Sequence, residues 1–157
     1  MRWLSAEIWH LTLLFLGAVP TEHVTELVRL VDQVAARRPP FGVEVEGGGG
    51  RARGSEAVGW LVIHEGAAAI IDTADRLAAA CPADITAGAP PRRTPAAHLT
   101  VARRASRLAL DDLAAGRCGR LAASWSVDRM ALLRSHLEPA GARYETLHEA
   151  RLYAADE

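Results

Sequence analysis

A four-residue motif occurs twice in the chain, at residues 10–13 and at residues 98–101. The first copy is His-Leu-Thr-Leu and the second is His-Leu-Thr-Val. Alternate side chains of a β-strand point to the same face, so each copy presents an imidazole and a hydroxyl on one face and two aliphatic side chains on the other. Burial of the aliphatic face would leave the polar pair exposed. The repeat therefore predicts two related strands and an internal duplication, with two lobes related by approximate two-fold symmetry.

The rest of the chain mixes helix patterns with strand patterns. Helices are predicted at residues 21–36 and 67–80, where apolar residues recur at helical spacing, and at residues 106–115, where Ser106 can cap a short helix. Strands are predicted at residues 7–16, 41–46, 58–64, 97–102, 125–133 and 143–153. A glycine run begins at Gly47, and we expect a mobile hairpin loop from there to Ser55. The strand connections are too short for parallel crossovers, which favours an α+β fold with antiparallel sheets.

Composition excludes several classes of protein. All eighteen basic residues are arginine, which excludes Schiff-base chemistry, lysyl–nucleotide intermediates and Walker A loops, since each needs a lysine amine. The two cysteines, Cys81 and Cys118, cannot form a disulfide framework or a CxxC metal site, and a cytoplasmic location is expected. No run reaches the roughly 18 apolar residues of a membrane span. The net charge of −1 argues against non-specific coating of nucleic acid.

Two histidines that face each other across a cleft suit general acid–base catalysis. Because imidazole has an unperturbed pKa near 6.5, one ring can be neutral and accept a proton while the other is protonated and donates one. The candidate pair is His10 and His98. The hydroxyls of Thr12 and Thr100 can donate hydrogen bonds to phosphate oxygens as charge develops on them. This arrangement requires no metal ion.

The sequence around both motifs resembles the 2H phosphoesterases. The most similar branch is that of the bacterial RNA 2′,3′-cyclic phosphodiesterases, historically called 2′-5′ RNA ligases. The resemblance rests on residues 10–17, HLTLLFLG, and on residues 98–103, HLTVAR. It continues into the C-terminal segment, where Ser135, Gly141 and Tyr144 are similar to the pattern of the family's last hairpin.

The resemblance implies one 2H phosphoesterase domain over residues 1–157, with two lobes and two antiparallel sheets, flanked by helices, around a central cleft. It implies a hydrolase that uses no ATP, metal or other cofactor. The substrate would be a 2′,3′-cyclic phosphate on an RNA end or a small cyclic nucleotide, and the product a 2′-phosphate. By family analogy His98 is the base that activates water and His10 is the acid that protonates the departing O3′. Thr12 and Thr100 would bind the non-bridging oxygens.

Arg103 matches the arginine that follows the second motif in the family. The resemblance implies that it neutralises the phosphate, ideally with bidentate geometry. Strict alternation, however, places Arg103 on the opposite strand face from His98 and Thr100. A β-bulge or the end of the strand must therefore turn it.

Two alternatives to hydrolysis remain open. A binding module can use the same cleft for nucleotides or RNA ends without turnover, and reversible 2′-5′ RNA ligation is a further outcome of the same chemistry. Tight binding of a 2′,3′-cyclic nucleotide without product would favour the module, whereas a 2′,5′-linked product would favour ligation.

Other residues are weaker candidates for substrate contact. Arg51 and Arg53 follow the glycine run and can reach an RNA phosphate, although a flexible hairpin tip is favoured there. Trp60 and Phe15 can stack a base, although core packing is favoured for both. Tyr144 is equally suited to packing and to base contact.

The family normally places a strand and a helix before the first motif, whereas this sequence offers only residues 1–7 in that position. The missing strand would leave a sheet edge or part of the core uncovered. We therefore expect either a missed upstream start or a chain that covers the gap by dimerising. The expected state is a monomer or a weak dimer, with no membrane partner.

Overall fold

The structure is a computed structural model that describes residues 2–53, 56–82, 84–85, 91–93, 96–103, 107–117, 122–139 and 141–153. Ser55 and Cys118 lie outside these ranges. The chain divides into two compact units. Unit 1 comprises Met1–Thr12, Gly42–Ala68 and Ala96–Trp125, and unit 2 comprises Leu13–Phe41, Ala69–Pro95 and Ser126–Glu157. All five candidate site residues belong to unit 1.

The described ranges contain three α-helices and nine strands. The helices are α1 (Val24–Ala35), α2 (Ala67–Ala80) and α3 (Arg107–Ala114). The strands are β1 (Arg2–Trp3), β2 (Leu14–Phe15), β3 (Phe41–Arg53), β4 (Glu56–Glu65), β5 (Arg92–Arg93), β6 (His98–Arg103), β7 (Ala122–Val127), β8 (Arg129–Glu138) and β9 (Gly141–Arg151). They form one five-stranded sheet in the order β1-β6-β4-β3-β7 and the two-stranded sheets β2-β5 and β8-β9. Every pair with a defined register is antiparallel, which confirms the predicted α+β fold.

The core of unit 2 forms around the apolar face of α1. Leu27, Leu30, Val31 and Val34 recur at helical spacing and are buried there. They pack with further buried side chains that lie in or after α2 and in or directly after the β8-β9 hairpin: Leu77, Ile85, Met130, Ala150 and Leu152. The helix predicted over residues 67–80 matches α2, and α1 follows one turn of 3₁₀-helix at Thr21–His23.

A partly buried arginine joins the end of α1 to the start of α2. The Arg38 side chain is only 15% exposed. Its Nη1 donates to Asp72 Oδ2 at 2.6 Å and its Nη2 donates to the Ala69 carbonyl oxygen at 2.8 Å. Arg76 Nε donates to the same Asp72 oxygen at 2.9 Å. The hydrogen bond from Arg76, together with the charge of Arg38, holds the pKa of Asp72 below its ordinary value of 3.8.

This carboxylate gives unit 2 a stability that depends on pH. Because the pKa of Asp72 is lower in the folded state, its contribution is present above pH 3.8 and is lost as the pH falls below that value. We expect Asp72→Asn to lower the free energy of unfolding at pH 7 by up to about 1 kcal/mol, since the carboxylate is partly exposed. In urea unfolding the difference from the wild type should shrink at pH 3. An equal difference at both pH values would contradict this assignment.

The glycine run lies inside strand β3, so the predicted loop from Gly47 to Ser55 is wrong as far as Arg53. Residues 48–53 pair with successive residues of β4. A methyl group added at Gly48 would lie 2.5 Å from Leu113 Cγ, and one added at Gly50 would lie 2.5 Å from Leu110 Cδ2. Glycine is therefore used at these positions to let α3 approach the sheet closely.

The segment before β2 is less regular than the strand predicted at residues 7–16. It contains one turn of 3₁₀-helix at Ala6–Ile8 and an isolated bridge at Leu11, so the continuous strand predicted there is wrong. β1 precedes this turn and pairs with β6, and the Leu4 N–H donates to the Val101 carbonyl oxygen at 2.9 Å. The first residues thus form a short edge strand of the five-stranded sheet. None of the helices in the described ranges is long and apolar enough to cross a membrane.

Candidate active site

The His-Leu-Thr residues of the two copies, at 10–12 and 98–100, lie side by side in unit 1. The second copy begins β6, and the central leucines of the two copies, Leu11 and Leu99, form an antiparallel bridge. This direction places the histidine of each copy beside the threonine of the other. Leu99 is buried, whereas the two histidines and two threonines are half-buried. The structure therefore brings together the four polar residues that the repeat predicted.

Both histidine rings are held by a backbone carbonyl two residues earlier. His10 Nδ1 lies 3.0 Å from the Ile8 carbonyl oxygen, and His98 Nδ1 lies 2.8 Å from the Ala96 carbonyl oxygen. A carbonyl oxygen only accepts hydrogen bonds, so Nδ1 carries the proton in both rings. Nε2 is then the atom that accepts a proton in the neutral ring and donates one in the charged ring. The sequence could not indicate these contacts, because carbonyls are present at every residue.

A β-bulge turns Arg103 to the face that carries Thr100. Thr100 pairs with Trp60, and Arg103 pairs with Val58, so three steps along β6 correspond to two steps along β4. The extra residue in β6 shifts the alternation of side chains by one position, so Arg103 and Thr100 face the same side of the sheet. Its side chain is exposed on the same sheet face as Thr100. The conflict between strict alternation and the expected role of Arg103 is thus resolved by the register.

The same face carries Trp60 next to His98. The two rings are in edge-to-face contact, with centroids 5.9 Å apart and an interplanar angle of 62°. Gly49 lies opposite Trp60 in β3, and a methyl group added there would lie 2.7 Å from Trp60 Nε1. Gly49 therefore leaves the space that the indole occupies. Because the glycine run predicts a loop at Gly49, this contact could not be predicted from the sequence.

We expect Gly49→Ala to reduce activity by displacing the indole toward His98. The expected loss in kcat is about 10- to 100-fold, because a shift of about 1 Å at a catalytic group has an effect of that size. Gly42→Ala is the matched control, since β3 also contains Gly42 and nothing lies within 4 Å of its added methyl group. In a Trp60→Leu background, Gly49→Ala should have little further effect. An additive loss in the double variant would contradict a route through the indole.

Other candidate residues lie elsewhere. Phe15 is 60% exposed in β2, so its predicted core role is wrong. Tyr144 pairs with Ser135 in the β8-β9 hairpin, which belongs to unit 2. The Arg53 side chain lies outside the described part of the structure. Arg51 belongs to β3 and is exposed.

Two further histidines of the described ranges lie against carboxylates. His136 Nε2 lies 2.8 Å from Glu145 Oε2, and this hydrogen bond lowers the pKa of Glu145. His148 Nε2 lies 2.7 Å from Asp32 Oδ1. Within the described ranges, no group of three or more histidine, cysteine, aspartate or glutamate side chains is placed to hold a metal ion.

The fold is that of known phosphoesterases. Over 99% of this chain and 84% of the other, it superimposes on the crystal structure of TT0787 of Thermus thermophilus with a TM-score of 0.76 and 24% identity. A crystal structure described as a phosphoesterase matches with a TM-score of 0.70 and 24% identity, covering 96% of this chain and 81% of that one. E. coli LigT complexed with 3′-AMP matches with a TM-score of 0.69 and 24% identity, covering 96% and 80%. No curated protein sequence matches the chain significantly.

The family model of the 2′-5′ RNA ligase superfamily matches residues 5–139, which include both His-x-Thr motifs. The chain belongs to this superfamily, and the structures it resembles are 2H phosphoesterases. The resemblance found in the sequence is thereby confirmed at the level of the family.

Proposed function

We propose that the chain is a cytoplasmic phosphodiesterase that opens 2′,3′-cyclic phosphates at RNA ends or on small nucleotides and leaves a 2′-phosphate. The observation that carries this proposal is the pairing of the two motifs. Two imidazoles lie on adjacent antiparallel segments, and each has its Nδ1 held by a carbonyl. Such a pair can remove one proton and deliver another across a single phosphate group.

In this proposal His98 Nε2 accepts a proton from water as the water oxygen attacks phosphorus. The P–O3′ bond breaks, and the electron pair stays on O3′. His10, charged at the start of the reaction, delivers its Nε2 proton to that oxygen. The products are a 2′-phosphomonoester and a 3′-hydroxyl, and the two histidines exchange protonation states. Proton exchange with solvent water then returns the two histidines to their starting protonation states.

The remaining three residues act on the charge of the phosphate. Thr12 and Thr100 donate hydrogen bonds to the non-bridging oxygens, and each lies beside a histidine. Arg103, which the bulge turns to the Thr100 face, neutralises the charge that increases during attack. The site thus has a base, an acid and three donors for one phosphate.

Structural relatives support a nucleotide as the ligand. Crystal structures of E. coli LigT hold 3′-AMP, NADP+, ATP or phosphate. Each of these molecules contains phosphate, and three of them contain an adenine nucleoside. We infer that a phosphate group on a nucleoside is also what unit 1 of this chain binds.

The direct test is incubation of the protein with a 2′,3′-cyclic mononucleotide in buffer that contains EDTA and no ATP. We expect the 2′-monophosphate as product. Binding of the cyclic nucleotide without product would favour the non-catalytic module. RNA with a cyclic phosphate end and RNA with a 5′-hydroxyl end, incubated together, would give a 2′,5′-linked product if ligation dominates.

A further inference from the structure

The sheet face that carries His98 and Thr100 extends beyond them to Arg51 on β3. Arg51 pairs with Val58 of β4, and Val58 also pairs with Arg103 of β6. Paired residues share a sheet face, so Arg51 lies on the same face as Arg103 and Thr100. The two arginine backbones are two strand spacings apart, which is about 10 Å.

The opposite face of β3 fixes this orientation. Gly50 and Ala52, which flank Arg51 in sequence, face the side on which α3 packs. An added methyl group at Gly50 would meet Leu110 of α3, and Ala52 pairs with Ala57, which is buried in contact with the same leucine. Alternation along the strand then sends the Arg51 side chain to the face of the candidate site. The position of Arg51 is therefore set by a paired strand, and not by a loop.

An aromatic ring lies on the face between the site and Arg51. Trp60 lies next to His98, and its indole extends to Gly49 on β3, which has no side chain of its own. Val58 lies between the two arginines. This combination of an aromatic ring and positive charge is typical of surfaces that bind single-stranded nucleic acid.

The charge on this face is not neutralised within the described part of the chain. Neither Arg51 nor Arg103 has a described carboxylate within ion-pair distance. By contrast Arg117, exposed in the same unit, lies 2.7 Å from Asp112 Oδ1. An exposed guanidinium group without a carboxylate partner can bind a phosphate of the ligand without first breaking an ion pair.

We propose that Arg51 binds the phosphodiester group one nucleotide before the cyclic phosphate, so that the preferred substrate is an oligoribonucleotide and not a cyclic mononucleotide. This inference rests on the proposed function, because it takes the cyclic phosphate to lie between the two histidines. Arg103 then contacts the reacting phosphate and Arg51 the next one, with the intervening nucleoside over the Trp60 indole.

The test compares Arg51→Gln with the matched control Arg117→Gln. The substrates are a trinucleotide that ends in a 2′,3′-cyclic phosphate and the corresponding cyclic mononucleotide. We expect Arg51→Gln to lower kcat/KM about tenfold for the trinucleotide, because one charged hydrogen bond is lost. The mononucleotide has no second phosphate, so this tenfold loss in kcat/KM is not expected for it. Arg117→Gln should leave both substrates unaffected. Equal losses for the two substrates with Arg51→Gln would overturn the proposal.

A binding measurement separates this inference from the proposed function. Fluorescence anisotropy of the labelled trinucleotide requires no turnover, and its salt dependence counts phosphate contacts. Arg51→Gln should reduce the slope of log K against log[salt] by about 0.7, the value for one contact to a single strand. An unchanged slope would overturn the inference even if the enzyme is active. A reduced slope in a protein that yields no product would support the subsite and contradict the hydrolase.

Discussion

Alanine at His10 or at His98 is expected to abolish hydrolysis of cyclic phosphates while the protein remains folded. General acid or base catalysis by one side chain contributes about 10²- to 10⁴-fold, and kcat should fall by that factor in each single variant. Stability should change little, because both rings are half-buried and their Nδ1 atoms bond to carbonyls only two residues away. Thermal unfolding of the variants checks this second expectation.

His64→Ala is the matched control for these variants. His64 also lies in unit 1 and its Nε2 also contacts a backbone carbonyl, that of Glu46, at 3.2 Å.

The wild type should show a bell-shaped dependence of kcat/KM on pH, with one limb from the base and one from the acid. Turnover retained at the wild-type level in either His10→Ala or His98→Ala would rule out the paired-histidine mechanism.

Arg103→Gln is expected to have the second largest effect. Removal of one preorganised donor to a developing charge costs about 10²- to 10³-fold in kcat, and here a positive charge is lost as well. The effect depends on the bulge in β6, which turns Arg103 to the Thr100 face. Steady-state kinetics on a 2′,3′-cyclic nucleotide measures the loss.

Arg103→Lys separates the charge from the geometry. Lysine keeps the positive charge but cannot form two parallel hydrogen bonds, so partial recovery, between the wild type and Arg103→Gln, is expected. Wild-type activity in Arg103→Gln would show that the phosphate charge is neutralised by other groups. Full activity in Arg103→Lys would contradict a bidentate contact.

The elements with strong local periodicity could be predicted from the sequence. α2 lies at the residues where its apolar spacing placed it, and α1 differs only by the 3₁₀ turn at its start. That the two His-x-Thr motifs lie together could also be predicted, because a repeated strand motif presents the same residue types twice. Local sequence carries these signals directly.

Features that depend on distant partners could not be predicted. The glycine run indicated a loop, since the reason for Gly48 and Gly50 is the approach of Leu113 and Leu110 from a helix much later in the chain. The position of the bulge was also hidden, because it depends on the register between β4 and β6. Strand pairing, which sequence periodicity does not specify, decides where Arg103 points.

The most direct test of the proposed chemistry determines two properties of the product. These are which hydroxyl carries the phosphate and whether the new oxygen on phosphorus comes from water. Hydrolysis of a 2′,3′-cyclic nucleotide in H₂¹⁸O, followed by ³¹P NMR, should give a 2′-monophosphate with one ¹⁸O on phosphorus. This is the result expected if His98 activates water and His10 protonates O3′. A 3′-monophosphate, or no product from the folded wild-type protein, would contradict that chemistry.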